Sequence, residues 1–256
     1  IMSQPRTLVV AGEGSRVTVM ETYIGSGNDP HLVNALTQIC VSRGARVCHY
    51  KHQGEGENGL HLGTNHVRLD TDSVYSGFVF SSGAGVSRNE ARVRLEGERG
   101  NCTLDGIYLG RNQQRVDNWT RVDHVAPYGQ TNEVYKGVMD DRAHGAFQGK
   151  IRIWPNAIAS QARQLNKNLL LSEAAEVSSK PELEILNDDV KCAHGSTIGD
   201  LEEEALFYLR SRGIDEAMAR QLMIEAFVGE VIERFADVPI RNHFKQLFSQ
   251  WLRQAS

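Results

Sequence analysis

Cys192 and His194 place a thiol and an imidazole two positions apart, a spacing that brings both side chains to one side of an extended strand. Cysteine sulfur and imidazole nitrogen are ligands suited to zinc and iron. Two ligands make an incomplete site, because a closed structural zinc centre needs four. A metal held by this pair would therefore have to be shared with another chain or with a transient ligand.

A second group of possible ligands lies earlier in the chain. Cys48, His49 and His52 offer one thiol and two imidazoles within five residues. We favour a structural role for these three side chains over a metal site.

Paired carboxylates suggest a different function. On a strand, Asp70 and Asp72 would share a face and could converge on a sugar or a calcium ion, and Asp140 with Asp141 forms a second pair. Solenoid hydrolases and lyases use such pairs for acid–base work. Solvated turn acids are the simpler interpretation, so a carbohydrate-active solenoid enzyme is kept as the alternative function. A self-associating interaction module is a third.

The elements that must position these residues are mostly short β-strands. Alternating apolar and polar runs, separated by Gly, Asn, Asp and Ser clusters, recur about every ten residues. They lie at 7–11, 16–24, 46–50, 66–69, 77–80, 91–95, 101–109, 133–138 and 150–154. This spacing allows a sandwich, a barrel or a solenoid. Apart from a possible hairpin at Asn58-Gly59, two-residue hairpin turns are missing, which favours the solenoid.

The composition changes character near residue 199. Residues 156–176 fit either a helix or a buried strand, but the tail has clear helical periodicity. We predict one helix capped by Asp200 and ended by Gly213, a second opening at Asp215, and a third over 240–252. The sequence therefore predicts a β core over 1–198 and a helical domain over 199–256. The apolar faces of the helices should pack on one another, leaving Phe248 and Trp251 as candidates for a partner.

Composition limits the location and the kinds of partner. The 256 residues carry a net charge of −4, which gives no positive field for binding nucleic acid generally. No apolar run approaches the ~20 residues needed to cross a membrane, and no secretory signal is visible. Four cysteines without a C-x-x-C pair make a poor disulfide framework. We predict a cytoplasmic protein that binds neither nucleic acid nor membrane.

The stretch DVKCAHGSTIG at 189–199, continuing into EALFYLRSRGI at 204–214, resembles the SufB/SufD family of iron–sulfur cluster assembly proteins. Segments at 5–8, 135–138, 147–151, 168–172 and 180–185 fall in the family's order, so the resemblance covers essentially the whole chain. The sequence HGSTIG at 194–199 is closer to the SufD branch than to the SufB branch. Family members have a substantial segment before the core, so we expect this chain to be a fragment.

The resemblance implies a mainly β fold, a right-handed parallel β-helix with a small C-terminal helical domain, and it places 156–176 in the β-helix. It implies a non-enzymatic scaffold subunit that pairs with a SufB-like paralogue and docks the SufC ATPase. By position, His194 matches the family's histidine at the paralogue interface, with Cys192 beside it. A transient iron–sulfur cluster would be assembled there, with no cofactor bound stably by this chain alone. ATPase docking is assigned to the helical tail, at Phe207, Tyr208, Leu209 and Phe227. Self-pairing of an isolated chain stays open.

Overall fold

A computed structural model describes residues 1–25 and 29–253. The chain winds as a solenoid in which successive strands, from β2 onward, alternate between two parallel sheets. Sheet A contains β1 (Met2–Ser3), β2 (Arg6–Ala11), β4 (His31–Val41), β6 (Gly59–Leu69), β8 (Val86–Leu95), β10 (Arg115–His124), β12 (His144–Ile153) and β14 (Glu176–Ile185). Sheet B contains β3 (Arg16–Ile24), β5 (Arg46–Gly54), β7 (Val74–Ser81), β9 (Asn101–Gly110), β11 (Gln130–Met139), β13 (Ser160–Leu170) and β15 (Val190–Gly199). Three helices follow, α1 (Glu203–Ser211), α2 (Glu216–Ile232) and α3 (Val238–Arg253).

Alternate residues of each strand fill the space between the two sheets. In β10, Val116 and Val122 are fully buried on the inward side, while Arg115 and Arg121 are exposed on the outward side. This period of two is the pattern of a strand with one buried face. The predicted β-solenoid with C-terminal helices is confirmed.

The turns repeat from coil to coil. Six of the seven connections from sheet A to sheet B contain one residue in the left-handed backbone region, which reverses the chain without a hairpin. These residues are Gly14, Gly44, Asp72, Arg99, Tyr128 and Ala159. Because only glycine, asparagine and aspartate adopt this region readily, the other residue types must be held there by the coils on either side.

Gly97 illustrates how closely neighbouring coils approach. A Cβ atom at this position would overlap backbone atoms of Thr71 and Asp70 in the preceding coil. We expect Gly97→Ala to lower the free energy of unfolding by about 1–3 kcal/mol through overpacking. In α2, Gly229→Ala meets nothing within 4 Å and should raise that free energy by roughly 0.5–1 kcal/mol. Urea unfolding of the two variants tests this, and equal stabilities would contradict it.

The helical tail packs on the outer face of sheet B. Phe78, on β7, contacts Phe235 and Phe244, with ring centroids 4.5 and 4.8 Å apart. Phe248 and Trp251 belong to the same buried cluster. The prediction that these two side chains remain available to a partner is therefore wrong, because the tail uses its apolar face against the solenoid.

Polar contacts fix the same docking. Arg234 forms a 2.9 Å ion pair with Asp105 on β9. Lys136, on β11, donates to the Phe227 carbonyl at 2.6 Å and pairs with Glu230. Arg111 lies 4.1 Å from the ring of Trp251 and donates to its carbonyl. Charged groups from three positions thus hold the helices to sheet B.

Several local predictions are changed by the structure. Residues 160–170 form a strand, so of the two interpretations left open for 156–176 the strand in the β-helix is confirmed and the helix is wrong. Asn58-Gly59 closes no hairpin, because β6 pairs in parallel with β4 and β8 rather than with β5. Glu202 occupies the N-cap position of α1 and no side chain caps it, so Asp200 is not a cap. Asp215 does cap α2, accepting from the Met218 amide at 3.0 Å.

Over the described parts of the chain, none of the three helices is both long and apolar enough to cross a bilayer.

Candidate functional site

The last coil of the solenoid leaves two strands with free edges. Within the described residues, β15 pairs only with β13, and β14 pairs only with β12. Their outer edges therefore present unpaired backbone N–H and C=O groups. Edges of this kind are suited to pairing with another chain.

Cys192, His194 and Ser196 occupy inward-facing positions of β15. Their in-register neighbours on β13 are Ala162, Gln164 and Asn166, all buried. His194 is nevertheless exposed, since among the described residues no further coil covers this end. The predicted placement of a thiol and an imidazole on one side of a strand is realised at an open solenoid end.

Cys192 is the more enclosed of the two donors. It is half-buried and packs against the apolar interior of the solenoid. Burial raises the pKa of the Cys192 thiol, and a hydrogen bond with the Ala162 backbone opposes that rise. At neutral pH the side chain is therefore a thiol, which would become a strong ligand on losing its proton to a bound metal.

Ser196 is tied to a polar network inside the solenoid. Its hydroxyl donates to Ser179 Oγ at 2.7 Å, and the Ser179 hydroxyl donates to Asn166 Oδ1 at 2.7 Å. Asn166 in turn donates through Nδ2 to Tyr108 at 3.0 Å. Sequence reasoning missed this network, although the inward residues follow a period of two on successive coils.

The site as it stands provides two donors for a soft metal. Among residues 1–25 and 29–253, there is no group of three or more His, Cys, Asp or Glu side chains that could hold a metal ion. A cluster or metal ion at Cys192 and His194 would need its remaining ligands from elsewhere.

The second predicted ligand group does not converge. His49 points inward, where its ring contacts Glu21 Oε2 at 2.7 Å and the Tyr75 hydroxyl at 3.0 Å. Cys48 and His52 point outward, and the His52 ring packs on Phe80. The three side chains therefore serve the interior and the helix interface, in agreement with the structural role we favoured.

The paired acids also lie apart. Asp70 and Asp72 are in a turn from sheet A to sheet B, whereas Asp140 and Asp141 are in a turn on the opposite edge of the solenoid. Asp72 is paired with Arg99 at 2.6 Å. These carboxylates form no common cleft, and the alternative of a carbohydrate-active enzyme gains no support from them.

The predicted ATPase-docking residues divide into two groups. Phe207 and Tyr208 on α1 are 74% and 57% exposed, which is unusual for aromatic side chains. Leu209, on the same helix, is half-buried. Phe227, on α2, is half-buried and lies against the Lys136 ammonium at 4.5 Å. Of these four side chains, only Phe207 and Tyr208 are largely exposed.

The fold and the terminal coil define a class of protein: a two-sheet parallel β-solenoid with a helical tail on one sheet and soft metal donors at an open end. The chain belongs to the SufB/SufD family. The family model described as "SUF system FeS cluster assembly, SufBD core domain" matches residues 1–227.

Curated relatives agree with this assignment. The chain is 32% identical to the iron–sulfur cluster assembly SufBD family protein slr0076 of Synechocystis, over 97% of this chain and 57% of the relative. It is 32% identical to the iron–sulfur cluster assembly protein SufD of Escherichia coli, over 90% and 54%. It is also 32% identical to Protein ABCI7, chloroplastic, of Arabidopsis thaliana, over 96% and 53%. The chain spans about half the length of these relatives.

Proposed function

We propose that the chain is a non-catalytic scaffold subunit of a cytoplasmic SufBCD-type complex that assembles iron–sulfur clusters. In this proposal the terminal coil pairs with a SufB-like paralogue, and the helical tail docks a SufC-type ATPase. The nascent cluster is cargo, built at the junction of the two solenoids and passed on. Family membership and the names of the SufD relatives support this role.

The observation that favours the pairing most is the exposed His194 at an open strand edge. An imidazole on the inner column of a solenoid would normally be covered by the next coil, as Gln164 is on β13. A second chain placed on β14 and β15 would satisfy their backbone groups and bring its own ligands to His194 and Cys192. Separation of the two chains would then release a labile cluster.

Replacing His194 tests the assembly site. We expect His194→Ala to leave complex formation intact and to reduce cluster formation by at least about 10–100-fold. Replacing a residue that only hydrogen-bonds to a metal ligand already causes a loss of this size. The readout is the absorbance of the cluster reconstituted on the purified complex. Lys191→Ala, an exposed change on the same strand, is the matched control. Normal cluster yield with His194→Ala would remove the imidazole from the mechanism.

Docking of the ATPase is tested on α1. We expect Phe207→Ala combined with Tyr208→Ala to raise the Kd for a SufC-type ATPase by about 30-fold, the effect of a hot spot of about 2 kcal/mol. Stability should be unchanged because both rings are exposed. Leu8→Ala, an exposed apolar change at the other end of the solenoid, is the control for binding by titration calorimetry. Unchanged affinity of the double variant would place the docking surface elsewhere.

A further inference from the structure

Gln164 lies directly behind His194 in the solenoid. The parallel register of β13 and β15 puts the two residues opposite each other, both at inward-facing positions. Neighbouring strands are about 4.7–4.9 Å apart, so the two side chains start within reach of one another. Gln164 is 2% exposed, whereas His194 is exposed. Gln164 is therefore the interior side chain that an inward-turned His194 ring would meet.

Glu133 fixes the orientation of the Gln164 amide. Gln164 Nε2 donates to Glu133 Oε2 at 2.8 Å. This hydrogen bond turns the NH2 group of the amide toward Glu133 and its oxygen away, and Glu133 Oε2 can accept it whether the carboxyl group is ionised or carries its proton on the other oxygen. That oxygen, Gln164 Oε1, is buried and has no hydrogen-bond partner among the described residues. The solenoid thus holds an oriented acceptor that lacks a donor, which is an unfavourable state for a buried carbonyl.

The other inward positions of β15 already have interior partners. Ser196 donates a hydrogen bond to Ser179, and Cys192 packs against the apolar interior. In the described part of the chain, His194 makes no hydrogen bond to the interior. A neutral imidazole has one N–H donor, which is what Gln164 Oε1 lacks. The unmatched donor and the unmatched acceptor lie on adjacent strands at the same register.

We propose that Gln164 is a positioning residue for His194, a step that rests on the proposed function and deepens it. When a partner chain covers the terminal coil, the ring turns inward and one ring N–H donates to Gln164 Oε1. This bond fixes the ring orientation and the tautomer, so the other ring nitrogen presents its lone pair to the metal. Glu133 acts one step further back by holding the amide. Metal-bound histidines usually donate their second N–H in this way.

The test removes the acceptor oxygen of Gln164 and keeps a side chain of similar size. Gln164→Leu is compared with Gln161→Leu, the same change at an exposed outward position of the same strand. Chains labelled with ¹⁵N-histidine are assembled with an unlabelled SufB-type partner and SufC-type ATPase, and the sedimented complex is studied by solid-state ¹⁵N spectroscopy. The His194 signals are identified by difference against His194→Ala. Cluster formation from ferrous iron and sulfide is measured on the same complexes.

Wild type and Gln161→Leu should show one His194 tautomer, and Gln164→Leu should show both. Cluster formation should fall by about 10–100-fold in Gln164→Leu only. Ring signals in Gln164→Leu identical to those of wild type would overturn the proposal. Gln164→Met, which keeps an unbranched side chain, gives the same comparison where the leucine variant does not fold. If His194→Ala forms clusters normally, the assembly role proposed for His194 fails, while the tautomer comparison still decides whether Gln164 holds the ring.

Discussion

Phe244→Ala should lower the free energy of unfolding by about 3–5 kcal/mol, the usual cost of removing a buried phenyl ring. Phe244 is fully buried between α3 and sheet B, with Phe78 and Phe80 on the solenoid and Phe235 beside it. Its loss would leave a cavity at the centre of the helix interface. Urea unfolding followed by circular dichroism and by tryptophan fluorescence measures the change.

An exposed phenylalanine provides the control. Phe207→Ala removes the same ring from a position 74% exposed and should change stability by no more than about 0.5 kcal/mol. Similar losses in the two variants would contradict the packing described here. Because Trp251 lies in the same cluster, its fluorescence should report early loosening of α3 in Phe244→Ala.

The second large effect concerns a carboxyl group inside the solenoid. Burial raises the pKa of Glu133 from 4.5 to about 7, while its hydrogen bond from Gln164 opposes the rise. The native chain therefore keeps this proton at pH values where the unfolded chain has released it. The contribution of Glu133 to the free energy of unfolding is therefore greatest below pH 4.5 and is lost as the pH rises to about 7.

Glu133→Gln should remove that loss, because an amide has nearly the shape of the protonated acid and no charge. We expect the variant and the wild type to differ little at pH 4.5, and the variant to be more stable by roughly 3 kcal/mol at pH 8. Urea unfolding across this pH range gives the difference. Titrating groups that do not interact with Glu133, such as His124, are present in both proteins and cancel.

Glu176→Gln, an exposed change on β14, is the matched control and should change the free energy of unfolding by no more than about 0.5 kcal/mol. A pH-independent gap for Glu133→Gln would show that the Glu133 carboxyl is not held protonated.

Much of the fold follows from local patterns. Alternation in runs such as 16–24 and 101–109 predicts strands because one face of each is buried, and β3 has the predicted bounds. β4 and β10 were not predicted. Their inward positions include Thr37, Asn118 and Thr120, so polar side chains obscure the alternation. The solenoid buries these polar side chains in its interior, whereas their polarity alone predicts positions on the protein surface.

The placement of the helical tail could not be predicted from its own sequence. The apolar stripe of α3 shows that one face is buried, but not what covers it. The partner face consists of outward residues such as Tyr50, Phe78 and Phe80, which only the sheet assembles. Three helices and a solenoid were predictable, whereas their interface depended on the winding of the coils.

The candidate site was predicted in part. The i, i+2 spacing of Cys192 and His194 predicts a shared face, because strand geometry is local. Gln164 is about thirty residues away and comes next to His194 only through the pairing of β13 with β15. The turn lengths between them vary, so the register could not be read from spacing. The role of these residues in cluster assembly stays a prediction.

The single neighbour of β15 has a consequence for cooperativity. In a solenoid each coil is stabilised by its intrinsic energy and by the coils it touches, so an interior coil has two interfaces and a terminal coil has one. Fraying should therefore start at the terminal coils, including the one that holds His194, and amides of these coils should exchange with solvent faster than amides of the interior coils. A bound paralogue would turn this end into an interior coil, so that amide protection would spread through β13 and β15 as the complex forms.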